Sequence, residues 1–407
     1  MQSLLKGNAV IGQSGGPTCV INESLVGAIE EAARHEAVTG VFGARHGIEG
    51  MLKEDFLDLT KTDPATLARV ARTPSAALGS VRLKPGKEEC AALLKVFQRF
   101  DVRYFFYIGG NDSAETAHIV QQLADDSGYE MRVAHIPKTI DNDLRVTDHC
   151  PGFGSAARFV ALAHIGDNLD NAALRGVKIN VIMGRHAGFL TAAACLARLG
   201  DDDGPHLIYV PEVAFDLQDF CRRVDDHMTR LGRCVIAVSE GIQDKDQQPI
   251  FSTGERDSHG NVQLSGTGAL GDFLASTLKK NLKLKRVRAD TFGYLQRSFP
   301  TVISETDARE AREVGAFAVK TVAARDSSSG SVAIRRIGNG KDYGAEYFFT
   351  ELSNVARDSR SLEDQYLVSG SPDVSPAYYD YVAPLAGPMP EVGRLADARV
   401  PKPGTAH

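Results

Sequence analysis

Residues 105–117 read FFYIGGNDSAETA, and the fold is decided by how this stretch is read. An apolar and aromatic run enters two glycines, and Asn111, Asp112 and Ser113 then open a segment of helical character. A strand that ends in glycines just before a helix aims backbone amides at one point, and such a point suits an anion. Yet the same turn carries a carboxylate, Asp112, where a phosphate is expected to sit.

Outward from this stretch the same unit recurs. NAVIGQSGG (8–16) leads into TCVINESLVGAIEEAARHE, and MRVAHIPKTIDND follows at 131–143. VKINVIMGRHAG (177–188) precedes FLTAAACLARLG, HLIYVPE precedes FDLQDFCRRVDDHMTRLG, and CVIAVSEG closes a run at 234–241. Apolar runs bounded by turns and alternating with helical patterns read as βαβ units on parallel sheets, an α/β fold. The units form two clusters, roughly 1–150 and 150–300, which predicts two domains. The polar, Gly-rich residues 244–266 read as an exposed loop or hairpin, and ARDSSSGS (324–331) as a linker-like turn. From about 350 the periodicity weakens. This part is expected to wrap the body as an extension, with the last dozen residues disordered.

The unusual residues cluster after predicted strands: Gly15-Gly16, Gly109-Gly110 with Asn111-Asp112, PKTIDND, MGRHAG, VPE and SEG. Open parallel sheets bind ligands in the crevice outside the carboxyl ends of their strands, so these clusters predict one cleft between two domains.

Composition narrows the ligands. The 407 residues are 43% hydrophobic and 24% charged, an ordinary globular balance. With 52 acidic against 46 basic residues the net charge is −6, which argues against nucleic acid and an anionic membrane as partners. An anionic substrate must then be held by local arginines, lysines and helix ends. Six scattered cysteines form no Cys-x-x-Cys, and no close Cys/His pairing suggests zinc, so they read as free thiols in a reducing compartment. No window reaches eighteen apolar residues, and a cytoplasmic protein is expected.

The chemistry lies in the clusters. Gly15 and Gly16 let the backbone approach an anion, though alone they read equally as a tight turn. No Gly-Lys-Ser/Thr follows, so this is not a Walker A loop. In IPKTIDNDL (136–144), Thr139, Asp141 and Asp143 alternate, which on an extended segment puts them on one side. A carboxylate beside a substrate hydroxyl can act as general base, and Lys138 can neutralise charge on a transferring phosphoryl group. Arg185, Arg288 and Arg297 suit phosphate, because the guanidinium fork matches its oxygens. His186 reads as structural. Glu240 follows an apolar strand and fits an acceptor for sugar hydroxyls.

Together these strings resemble the phosphofructokinase family, and within it the pyrophosphate-dependent branch. GGNDS, PKTIDND, MGRHAG, SEG and GYLQR stand in the family's order at similar spacings, over about residues 8–325. The resemblance implies two Rossmann-like three-layer domains with parallel sheets and an active site between them. It places one domain at 1–152 with about 298–345, the other at 153–297, and an extension from about 346 to 407. It implies reversible, Mg2+-dependent phosphoryl transfer from diphosphate to the 1-hydroxyl of fructose 6-phosphate. Asp141 would be the proton acceptor, Lys138 would stabilise the transition state, and Gly15 and Gly110 would bind the donor. Thr139, Ile140, Asp141, Met183, Gly184, Arg185 and Glu240 would bind the sugar phosphate. So would Tyr294, Leu295, Gln296 and Arg297, with Arg288 reaching in from a neighbouring subunit, which implies a homodimer or homotetramer.

Two positions separate donors in the family. ATP users commonly have Gly where this chain has Asp112 and Lys138. Asp112 would repel the α-phosphate of ATP as an unpaired charge, in a space that diphosphate does not reach. Three positions depart from the family. Asn111 stands where a magnesium-linked Asp is common, which leaves Asp112 and Asp143 as further metal candidates. Tyr294 stands where many ATP users have His. An arginine common before MGR is not at its spacing, where Arg175, Gly176 and Lys178 crowd the region. The rival readings are an ATP-dependent enzyme, transfer to sedoheptulose 7-phosphate, and a non-catalytic sugar-phosphate sensor. The last would be marked by loss of Asp141 or Lys138, and both are present.

Overall fold

A computed structural model describes residues 4–251, 268–324, 327–356 and 358–395. In chain order the strands are β1 (Gly7–Gln13), β2 (Val38–Ala44), β3 (Phe56–Asp58), β4 (Val102–Gly109), β5 (Arg132–Pro137), β6 (Val177–Ile182), β7 (Leu207–Tyr209), β8 (Cys234–Ser239), β9 (Val287–Thr291), β10 (Gly330–Ile337) and β11 (Gly344–Thr350).

They form two sheets. The first runs β11-β10-β5-β4-β1-β2-β3 and the second β7-β8-β6-β9. The second is parallel throughout. The first is parallel at its centre but carries an antiparallel strand at each edge, β3 on β2 and β11 on β10. Those edge strands escape a reading based on parallel sheets, because β3 is only three residues long and β11 is half-buried. In contrast β4 and β8 are buried along almost their whole length, as strands covered by helices on both faces must be.

The chain leaves the first sheet after β5 and returns to it through the helix Glu305–Val322. That helix packs on the helix Ile21–Ala32 through two glycines. A Cβ on Gly27 would collide with the Arg312 carbonyl, and one on Gly315 with the Ser24 carbonyl. Asp307 of the returning helix accepts from the backbone N–H of Gly152 and of Ser155, both at 2.8 Å. It thereby satisfies free amides at the start of the helix Phe153–Ala173, the first element of the second unit.

β11 runs to Thr350, past the boundary expected at 345. Beyond it lies more order than the weak periodicity suggested. The helix Pro376–Ala386 buries Tyr378, Tyr381, Val382 and Leu385 in a core shared with the helix Phe153–Ala173. Of the stretch expected to be a linker, 324–331, the end is the start of β10, and residues 325–326 lie outside the described residues. Most of the 244–266 loop and the last dozen residues also lie outside them.

Candidate active site

In the first sheet β1 has β2 on one side and β4 on the other, so the loops after β1 and β4 part at that point. Such a switch point opens a crevice at the carboxyl ends of the strands. The carboxyl ends of β6, β8 and β9 face the same cleft, which measures about 670 Å³.

The donor end is built from glycines and cations. Gly15 has φ +75°, a conformation glycine adopts without strain. Lys138, just past β5, donates from its ammonium to the Gly16 carbonyl at 2.8 Å and from its backbone N–H to the Gly109 carbonyl at 2.9 Å. Gly110 precedes the helix Asn111–Ser127, so that helix points its free amides into the cleft. A Cβ on Gly110 would meet nothing nearer than 3.9 Å and its φ of −88° suits any residue, so the fold itself does not demand glycine there. What the missing side chain leaves is room at the helix end. Behind the turn, buried His135 donates from Nε2 to the Gly109 carbonyl and accepts at Nδ1 from the Ser331 hydroxyl. Burial pushes its pKa down to about 4, so it is a neutral strut.

At the centre are Lys138, Thr139, Ile140, Asp141 and Asp143. The expected alternation along an extended segment does not hold: β5 ends at Pro137, and Asn142 adopts a left-handed φ of +59°. The loop still turns Thr139, Asp141 and Asp143 into one cleft. Thr139 Oγ1 accepts from the Asp141 backbone N–H at 3.1 Å. Burial, and then the nearby charges of Asp143 and Glu240, raise the Asp141 pKa to about 7, against the pull of Lys138 and Arg297. Burial and the Arg297 charge lower that of Lys138 to about 8. A half-buried acid and a buried base drawn toward neutrality in one cleft mark a functional site.

The far wall carries Met183, Arg185, Glu240, Tyr294 and Arg297. The Arg297 guanidinium stacks 4.7 Å from the Tyr294 ring centroid and reaches across to touch Gly16, joining the two units over the cleft.

Four expected residues do not line the cleft. Gly184 sits behind it with φ +141°, its carbonyl accepting from the Ser239 hydroxyl. Gln296 is buried and accepts from the Met183 N–H at 3.3 Å, so it supports a lining residue. Leu295 is 58% exposed. Arg288 lies on the edge strand β9 and donates to the Val287 carbonyl at 3.1 Å.

The carboxylate that opened the sequence question has a partner. Lys84 Nζ stands 3.1 Å from Asp112 and 2.7 Å from Glu115, so Asp112 is not the unpaired charge expected. Lys84 and Arg82 line the cleft from the loop between the helices Pro64–Ala71 and Lys87–Arg99, in a segment whose local pattern gives no sign of a site. Ser14, Gly16, Val81, Leu83 and Ser113 line it as well, beside motif residues. So do His186, read from sequence as structural, and Ser359, which lies more than two hundred residues downstream of most of the cleft. For magnesium, no three His, Cys, Asp or Glu side chains converge among the described residues. A metal here fits the usual magnesium pattern of phosphate oxygens, water and one or two carboxylates. Asp143 is the better placed, since Lys84 holds Asp112, and Asn111 offers only a neutral amide whose oxygen already accepts from the Asp112 N–H.

The model of the phosphofructokinase family matches residues 8–322. The chain is 52% identical over 404 residues to the pyrophosphate–fructose 6-phosphate 1-phosphotransferase of Rhodospirillum rubrum, covering 98% of this chain and 99% of that protein. It is 36% identical to the protein of that name from Halomonas elongata, with 97% of each covered. The crystal structure of a pyrophosphate-dependent phosphofructokinase from Marinobacter aquaeolei superposes with a TM-score of 0.84 at 34% identity, over 96% of this chain and 94% of that one. With a cleft of this geometry between two α/β units, and a family match across most of its length, the chain belongs to the phosphofructokinase family.

Proposed function

We propose that this cleft transfers a phosphoryl group reversibly between diphosphate and the 1-hydroxyl of fructose 6-phosphate, giving fructose 1,6-bisphosphate and phosphate. The observation that carries the reading is Asp141, a half-buried carboxylate with a pKa near 7, sharing one cleft with Lys138 and Arg297. The sugar hydroxyl gives its proton to Asp141, its oxygen bonds to the terminal phosphorus, and the bridging P–O bond breaks to release phosphate. Lys138, charged below about pH 8, faces the charge that grows on the leaving phosphate. Catalysis of this kind rests on positioning and charge neutralisation.

Gly15, Gly110 and the end of the helix Asn111–Ser127 take the donor. Thr139, Ile140, Met183, Arg185 and Glu240 hold the sugar, and Tyr294 with Arg297 its 6-phosphate. Gly184 and Gln296 support them from behind. Asp143 would hold magnesium together with the diphosphate, and the ion would neutralise charge on the phosphates. Asp112 and Lys138 together favour diphosphate over ATP, as does the 52% identity to a pyrophosphate-dependent relative. Arg288, outside the cleft of its own chain, is assigned to a neighbouring subunit's site, which makes a homodimer the smallest active unit. The donor domain comprises 1–152 and the returning segment from about 298, and the sugar domain 153–297. Six buried, unpaired cysteines suit the reducing cytoplasm.

The test is a donor and acceptor comparison with magnesium present. Purified protein is given fructose 6-phosphate with diphosphate or with ATP, and sedoheptulose 7-phosphate with diphosphate. Rapid fructose 1,6-bisphosphate formation with diphosphate is expected. Equal rates with ATP, or a higher kcat/KM for sedoheptulose 7-phosphate, would refute the assignment.

A further inference from the structure

Ser359 is one of the lining residues that the reaction leaves without a part. It arrives on the segment that follows β11, and the backbone places it firmly. Residues Leu144 and Ser359 form an antiparallel bridge, and Arg360 N–H donates to the Asp143 carbonyl at 2.8 Å. The Arg360 guanidinium donates to the carbonyls of Asn142 at 2.9 Å and Asp148 at 2.6 Å. Farther along, Tyr381 accepts from the Asn142 amide at 2.7 Å and donates to the Asp148 carbonyl at 2.8 Å. The C-terminal segment therefore grips the loop that carries Asp141 and Asp143 from behind. At the cleft, Ser359 Oγ accepts from the Asn111 side-chain amide at 3.2 Å and hydrogen-bonds the Asp143 carboxylate. One hydroxyl can accept and donate at once, so it joins the start of the donor helix to the catalytic loop.

We propose that Ser359 is a positioning residue of the donor site, its hydroxyl clamping the Asn111 amide to the Asp143 carboxylate so that both face bound diphosphate. This makes the C-terminal segment a working part of the active site, and it rests on the phosphoryl-transfer reading above. Asn111 then has a defined task that an amide fulfils: it donates to Ser359 while its oxygen accepts from the Asp112 N–H. The hydroxyl's two partners, Asn111 and Asp143, are not among the residues assigned to the sugar, so the effect is expected at the donor.

The full-length protein with Ser359→Ala is compared with wild type. Loss of this bridge is expected to raise the diphosphate KM, and its Kd by calorimetry, about three- to tenfold. The fructose 6-phosphate KM and the melting temperature stay as in wild type, and Ser359→Thr restores diphosphate binding. A diphosphate KM and Kd within twofold of wild type, or an equal rise in both KM values, overturns the proposal. If the alanine variant fails to fold, Ser359→Cys, of similar shape with a weaker donor, carries the same comparison. Wild-type protein that fails to turn over diphosphate refutes the phosphoryl-transfer reading; active wild type with an unaffected variant refutes only the role of Ser359.

Discussion

Asp112 gives the sharpest test of how this cleft selects its donor. Its side chain is 63% exposed, and Lys84 stands 3.1 Å away. Two unit charges 4 Å apart repel by about 1 kcal/mol in water and by about 4 kcal/mol near a protein surface. Exposure and the Lys84 ammonium push the repulsion of an ATP α-phosphate toward the low end, about 1–2 kcal/mol, or roughly 5–30-fold in relative kcat/KM. Replacing Asp112 by Ser removes the charge and keeps a residue suited to the first turn of a helix. The ratio of kcat/KM for ATP to that for diphosphate should then rise by that factor. Lys84→Met, which leaves Asp112 unopposed, should move the ratio the other way. Initial rates of bisphosphate formation at two ionic strengths provide the assay, because an exposed charge is screened by salt. A ratio that changes by less than twofold in Asp112→Ser, or a wild-type ratio indifferent to salt, would refute selection by charge. It would shift the work to the shape of the pocket.

Asp141→Asn keeps the shape of the base and removes its function; kcat should fall by about 10²–10⁴ while calorimetry still registers fructose 6-phosphate binding. The rate should also be bell-shaped in pH. Asp141 must be deprotonated, so activity drops below about pH 7, and Lys138 must be protonated, so it drops above about pH 8. The two limbs belong to the coupled cluster, but Lys138→Arg should move the alkaline limb upward because a guanidinium stays charged. A flat profile from pH 6 to 9 would contradict both roles. Gly315→Val forces a side chain into the Ser24 carbonyl and should destabilise by about 1–3 kcal/mol, lowering the melting temperature without altering diphosphate KM.

The sequence alone carried the α/β class, the two units and the core of the site. Runs such as 104–108 are apolar or aromatic along their whole length because both faces are covered, and that pattern is local. The motifs were legible for the same reason: Gly15, Gly110, Lys138 and Asp141 each sit at a strand end, and strand ends meet at a switch point. The edge strands β3 and β11 were not legible, since an edge strand is short or half-wet and lacks a two-sided pattern. Nor was the pairing of Asp112 with Lys84, because an ion pair between a loop and a helix start leaves no trace in residue spacing. Ser359 is the extreme case: it touches Asn111 across 248 positions of chain, brought there by Arg360 and Tyr381 on a segment whose own pattern is weak. What the residues determined by themselves was therefore the chemistry available at the strand ends, which depends on neighbours in sequence. The charge state of Asp141, the partner of Asp112 and the place of Ser359 were decided only by tertiary structure, because burial and electrostatics depend on neighbours in space.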